Sequence, residues 1–207
     1  MRMTRLLDSV GAKTLWHQGW YGPAQHLESP NFDLRPPGSA VELLVVHSIS
    51  LPPGEFSNGN VQRLFTNQLD CGQHPYFELL RGLRVSAHFF VARTGELWQF
   101  VSCDVRAWHA GLSTFCGREN CNDYSIGIEM EGLEGYGFDS PQYQSLATLC
   151  RAIILNYPVR HIAGHEHVAP GRKHDPGPGF DWPLLQEQLA AWGTHAIQFP
   201  QDFPGNL

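Results

Sequence analysis

The sequence predicts an α/β (α+β) fold, a single mixed central β-sheet flanked by helices, on three observations. "AVELLVVHSIS" is apolar almost without break from Val41 to Val46, which suits a central strand buried on both faces. "DYSIGIEMEG" alternates with a two-residue period, the mark of a strand with two unlike faces. "DSPQYQSLATLCRAIILNYP" carries an apolar stripe at helical spacing, so strands and helices must pack as layers. With 207 residues, 42% of them hydrophobic, the chain suits one ample core rather than two.

Residues 1 to about 25 are mixed and aromatic without periodicity, and "ESPNFDLRPPGSA" supplies loop signals before the first strand. That strand ends in His47 and is broken by "LPPGEFSNG". In "NVQRLFTNQL", Val61, Leu64, Phe65 and Leu69 follow helical spacing, with Asn58 or Asn60 as cap. "RVSAHFFVARTGELWQFV" reads as a hairpin: Val85, Ala87, Phe89 and Val91 share a face, "RTGE" turns, and Leu97 to Val101 returns. The next strand puts Ile126, Ile128 and Met130 on one face and Gly127, Glu129 and Glu131 on the other. The long helix has Ser140 as cap, Pro141 in its first turn, and Tyr143, Leu146, Cys150, Ile153, Ile154 and Tyr157 on its stripe; Pro158 ends it. A last helix runs from an Asp181 cap to Gly193. The organisation expected is an extension (1–19), one domain (20–193) and a tail (194–207) that is partly ordered at best.

Composition narrows the function. A net charge of −6 speaks against a nucleic-acid partner, because no broad basic face is available to neutralise phosphates. No stretch approaches a membrane span, and Asp8 and Lys13 interrupt any apolar segment near the N-terminus, so no membrane association is expected. Five cysteines without a C-x-x-C pair fit a reducing cytoplasm, with Cys71, Cys103, Cys116, Cys121 and Cys150 as simple thiols.

The chemistry concentrates in "AGHEHVAPGRKHDPGPGFDW", residues 163–182. Its prolines and glycines exclude a continuous helix, so turn geometry must hold any site there. A zinc site with an open position needs three protein ligands from His and carboxylate. His47, at the mouth of a buried strand, plus two groups of this loop would meet that count. Spacing leaves a His165 and His167 pair, or a His165 and Asp175 pair, equally open, and solvated surface histidines are the plain alternative. Lys173 is hard to explain as a core residue. Glu129 and Glu131 both offer a base for a bound water, or an exposed strand face; Gly127 opens space above the sheet. Trp108 and His109 in "RAWHAG" are a packed turn or a cleft wall. H-E-x-x-H, G-x-S-x-G, P-loop and P-C-x-x-C signatures are missing.

"LLVVHSISLPPGEF", "HPYFELLRGLRVSAHF", "RAWHAGLSTFCGRENCNDYSIGIEMEG" and "GHEHVAPGRKHDPGPGFDW", in that order from about Trp20 to Trp182, resemble the AmpD family. These are cytosolic 1,6-anhydro-N-acetylmuramyl-L-alanine amidases of the type 2 group, which shares its fold with peptidoglycan recognition proteins. The resemblance implies that His47, His165 and Asp175 hold one zinc ion and that His167 and His174 fall at variable positions. It implies that Glu129, not Glu131, moves the proton and that Lys173 stabilises the developing oxyanion. Glu131 returns to the plain exposed-face reading. Arg84 resembles an arginine that meets a stem-peptide carboxylate, and Trp108, His109 and Ser48 fall in the substrate-binding region. The sequence departs from the pattern at Ser48, often Asn in relatives, and at Asn120, where a basic residue is usual. The implied substrate is an anhydro-muropeptide, cut between the lactyl group and L-alanine in the cytoplasm, with an indirect effect on β-lactamase induction and no obligatory protein partner. The rival from another class is a recognition module that holds the muropeptide without cutting it.

Overall fold

The computed structural model describes residues 15–194 and 196–203. Expectations for residues 1–14 and 204–207 lie outside the described residues.

Six strands form the central sheet: β1 (Gln25–His26), β2 (Leu43–Ile49), β3 (Phe89–Val91), β4 (Leu97–Gln99), β5 (Ser125–Glu131) and β6 (His161–Gly164). Their order is β6-β2-β5-β3-β4-β1. The first four are parallel, β4 turns back antiparallel to β3, and β1 runs parallel to β4. The unbroken apolar run of β2 follows from its central place: Leu44 and Val46 face one layer, Leu43 and Val45 the other, and all four are buried. Ile126, Ile128 and Met130 join Leu44 and Val46 in packing against the long helix α3 (Ser140–Asn156) through Leu146, Leu149 and Ile153. Helix α5 (Trp182–Ala190) adds Leu185 and Leu189 to that layer, and the Asp181 carboxylate caps it by accepting from the Leu184 N–H at 2.9 Å. No described helix is long and apolar enough to cross a membrane.

Several local expectations are corrected. Strand β2 continues two residues past His47, so the histidine lies within the strand. The hairpin is present, with Phe89 opposite Gln99 and Val91 opposite Leu97, but its strands are shorter than the alternation suggests. Val85 and Ala87 precede β3 and pack with Phe90 and Phe100, on the other side from Phe89 and Val91. Helix α1 (Asn60–Phe65) is capped by Gly59 in the left-handed region, Leu69 packs on the same cluster from beyond the helix end, and a short helix α2 (Pro75–Glu78) follows. The cap of α3 is Asp139, whose N–H is held by the Gln142 side chain at 3.0 Å. Part of the tail docks on the sheet: Ile197 and Phe199 are buried, and Gln198 bridges to His161 at the β6 edge.

Candidate metal centre and its cleft

Strand register assembles the centre. Within the parallel β2–β5 pair His47 stands directly opposite Glu129, and Val46 opposite Gly164 of β6 brings the next residue, His165, beside His47. His165 opens a single helical turn, α4 (His165–Val168), where only loop is expected. A Cβ on Gly164 would come within 2.8 Å of Pro176 and 2.9 Å of the His167 ring, so a larger residue would push the loop away from the sheet. His167 Nδ1 accepts from the Gly164 N–H at 2.9 Å and so helps hold this turn, while His174 is exposed. The Glu166 N–H donates to the Asp175 carbonyl at 2.8 Å, folding the far end of the loop onto its start.

Three side chains converge as a result. His47 Nδ1 and His165 Nδ1 are 2.9 Å apart, and Asp175 Oδ2 lies 3.1 Å from the latter and 3.3 Å from the former. Among the described residues this is the one cluster of three or more His, Cys, Asp or Glu able to hold a metal ion. The three residues are only 1%, 3% and 7% exposed, so a carboxylate and two imidazoles leave water together. Zinc–ligand bonds of about 2.0–2.1 Å in a tetrahedron require donor atoms roughly 3.3 Å apart, close to the spacing seen. His165 Nε2 lies 3.1 Å from the Ala110 carbonyl, which can only accept, so Nε2 carries the proton and Nδ1 is a bare lone pair facing the centre. Burial, reinforced by neighbouring His165, lowers the His47 pKa to about 4, which keeps the ring neutral as a ligand must be. Burial alone would raise the Asp175 carboxyl, but its contacts with the His165 and His47 rings outweigh this and lower it. A donor set of this kind fits a divalent cation.

Glu129 stands beside this centre with Oε2 buried and without a hydrogen-bond partner. Burial, with the nearby Asp175 charge adding, raises its pKa well above the ordinary carboxylate value, and Lys173 pulls the other way. Lys173 and Glu129 both line a cleft of about 440 Å³ that opens over the ligand atoms. Ser48, Trp108 and His109 line the same cleft. Arg84 does not: it is exposed and borders an adjacent depression that shares Leu64, Leu80 and Leu83 with the cleft. Asn120 is exposed and in the left-handed region, where it caps a turn.

Some contributors leave no signal in the sequence. Ala110 matters through its carbonyl, which also accepts from Arg172 at 2.6 Å, and a backbone acceptor has no residue signature. Glu134 lines the cleft from a segment with no motif, and Tyr76 lines it from within "HPYFELLRGLRVSAHF" without being singled out there. Glu131 is buried, with its carboxylate accepting from the Ser57 N–H at 2.5 Å and the Arg93 N–H at 2.9 Å, so the exposed-face reading is corrected.

A layered α/β domain holding two histidines and a carboxylate over a cleft with a half-buried glutamate and a lysine defines a metal-dependent hydrolase type of protein. Residues 37–178 match the N-acetylmuramoyl-L-alanine amidase family. The 1,6-anhydro-N-acetylmuramyl-L-alanine amidase AmpD of Salmonella typhimurium (strain SL1344) is 48% identical over 180 residues, covering 86% of this chain and 96% of the relative. A crystal structure of a selenomethionine AmpD derivative superimposes with a TM-score of 0.82 at 47% identity, covering 84% of this chain and 99% of that one. The amidase AmiD of E. coli, solved in complex with the substrate anhydro-N-acetylmuramic acid-L-Ala-D-γ-Glu-L-Lys, matches with a TM-score of 0.53 at 28% identity, covering 74% of this chain and 60% of that one. The chain belongs to the N-acetylmuramoyl-L-alanine amidase family and, within it, to the AmpD group.

Proposed function

We propose that this protein is a zinc-dependent amidase that hydrolyses the lactyl-L-alanine amide bond of 1,6-anhydro-N-acetylmuramyl peptides during cytoplasmic peptidoglycan recycling. The observation that carries the reading is the convergence of His47, His165 and Asp175 beneath a cleft that also holds Glu129 and Lys173. Two histidines and a carboxylate with an open position favour zinc over harder cations. The names of the relatives supply the substrate class, and the five free cysteines suit a reducing compartment.

When bound, zinc supplies a water of lowered pKa and polarises the amide carbonyl. The protein's own groups do the rest. Glu129, poised by burial to take and return a proton, accepts it from the attacking water and delivers it to the departing L-alanine nitrogen. Lys173 sets a positive charge where the carbonyl oxygen becomes negative. Trp108 and Ser48 border the space the substrate fills. Arg84, one depression farther out, is placed to meet a carboxylate of the stem peptide that extends beyond the cleft.

The test is mass spectrometry of an anhydro-muropeptide incubated with the purified protein, with chelator, and after zinc add-back. Free stem peptide and anhydro-sugar that disappear on chelation and return with zinc are expected. Intact muropeptide under all three conditions overturns the reading in favour of a non-cutting recognition module. Asp175→Ala is expected to lose metal and activity together. Glu129→Gln is expected to keep the metal and lower kcat by about 100-fold or more, and normal turnover by that variant would remove Glu129 from the mechanism.

A further inference from the structure

We infer that His109 is a positioning residue that sets the tautomer of His47 through a fixed proton relay from Ser125, an inference that rests on the metal-site reading above. The relay is an accounting of protons. Ser125 Oγ has a single hydrogen, donated to the Cys121 carbonyl at 2.6 Å. At its contact with His109 Nε2, 3.1 Å away, the hydroxyl therefore accepts, and the proton of the His109 ring sits on Nε2. His109 Nδ1 is then a bare acceptor, and it lies 3.0 Å from His47 Nε2. His47 must donate there, which leaves His47 Nδ1 bare and directed at His165 Nδ1 and Asp175 Oδ2. Three lone pairs with no proton among them repel one another unless a cation stands between them.

The surroundings hold His109 to this task. A Cβ on Gly127 would lie 2.4 Å from His109 Cγ and 2.6 Å from its Nδ1. The space that Gly127 opens above the sheet is thus the seat of this ring. Asn122 Oδ1 accepts from the backbone N–H groups of both His109 and Ala110, at 3.2 and 2.8 Å. One short segment therefore addresses both imidazole ligands: the His109 side chain faces His47, and the Ala110 carbonyl faces His165. With both ring nitrogens engaged, His109 meets the cleft only with its carbon edge.

Two measurements on the full chain test this. In the metal-free wild-type protein, ring nitrogen NMR is expected to place the proton of His47 on Nε2; a proton on Nδ1 overturns the relay. In competition with a chromophoric chelator, His109→Leu is expected to bind zinc 10–100-fold more weakly. His109→Asn, which returns an acceptor near the Nδ1 position, is expected to recover most of the affinity, and Gly127→Ala to lose it as His109→Leu does. Wild-type zinc affinity in His109→Leu overturns the inference. Failure of the wild-type protein itself to bind zinc overturns the metal reading instead, and the nitrogen spectrum still decides the tautomer.

Discussion

Identical residues in one strand take opposite roles according to what lies above them. Glu129 and Glu131 share a face of β5, and sequence periodicity treats them alike. Glu131 is consumed by two backbone N–H groups of neighbouring loops, whereas Glu129 keeps an unpartnered oxygen at the metal centre. Glu131→Ala is expected to lower stability by about 1–3 kcal/mol while leaving zinc binding unchanged, as checked by denaturant unfolding and metal titration. His88 offers a pH prediction. It is fully buried, with Nδ1 accepting from the Gly127 N–H at 3.0 Å and Nε2 3.1 Å from the Val105 carbonyl. Burial, with nearby Arg35 adding, holds its pKa well below 6.5. Below pH 6.5 the unfolded chain takes up a proton that the folded protein refuses, so stability falls as pH drops toward the folded pKa. The slope from this one group reaches about 1.4 kcal/mol per pH unit. Thermal unfolding midpoints from pH 7.5 to 5 are expected to decline, and His88→Gln to flatten the decline.

The long helix and the parallel strands are the elements whose patterns translate most directly into packing. Each buried stripe residue expected for α3, from Tyr143 through Leu146 and Cys150 to Ile153, lies in the core cluster that also holds the sheet's Leu44, Val46, Ile126 and Ile128. Leu146 is wholly enclosed, and Leu146→Ala is expected to cost about 2–5 kcal/mol, measured by chemical denaturation. Caps and strand ends were less legible. Asp139 rather than Ser140 caps α3, because the Gln142 side chain reaches back to the Asp139 N–H while its amide spans to the Val91 and Glu131 carbonyls. Before β3 begins at Phe89, the Ser86 N–H is taken by the Trp108 carbonyl, while the His88 N–H already reaches Gly127 of the neighbouring β5. Such partners are distant in sequence, and local pattern does not contain them.

At the scale of the whole molecule, the tail closes the sheet. The Ile162 N–H donates to the Gln198 carbonyl at 3.0 Å and the Gln198 N–H to the Arg160 carbonyl at 2.9 Å, covering an otherwise open edge. Phe203 packs on Phe115 at 5.0 Å between ring centroids and on His167 at 6.4 Å, behind the loop that carries two of the proposed ligands. Phe199→Ala is expected to cost about 3–5 kcal/mol, and truncation after Thr194 to lower the thermal midpoint further; an unchanged midpoint would show that the docked tail contributes nothing.

By itself the sequence determined the layers, the central strands, the principal helices and, through its resemblance to AmpD amidases, a candidate set of His47, Glu129, His165, Lys173 and Asp175. These depend on periodicity and residue type, which survive in one dimension. Tertiary structure alone decided that His47 and His165 come within 2.9 Å of each other, that Gly127 makes room for a histidine ring, that Glu131 is structural and that the Ala110 carbonyl faces His165. Each of these is a contact between atoms far apart in sequence. Strand periodicity says which face a side chain takes but not what will lie across from it.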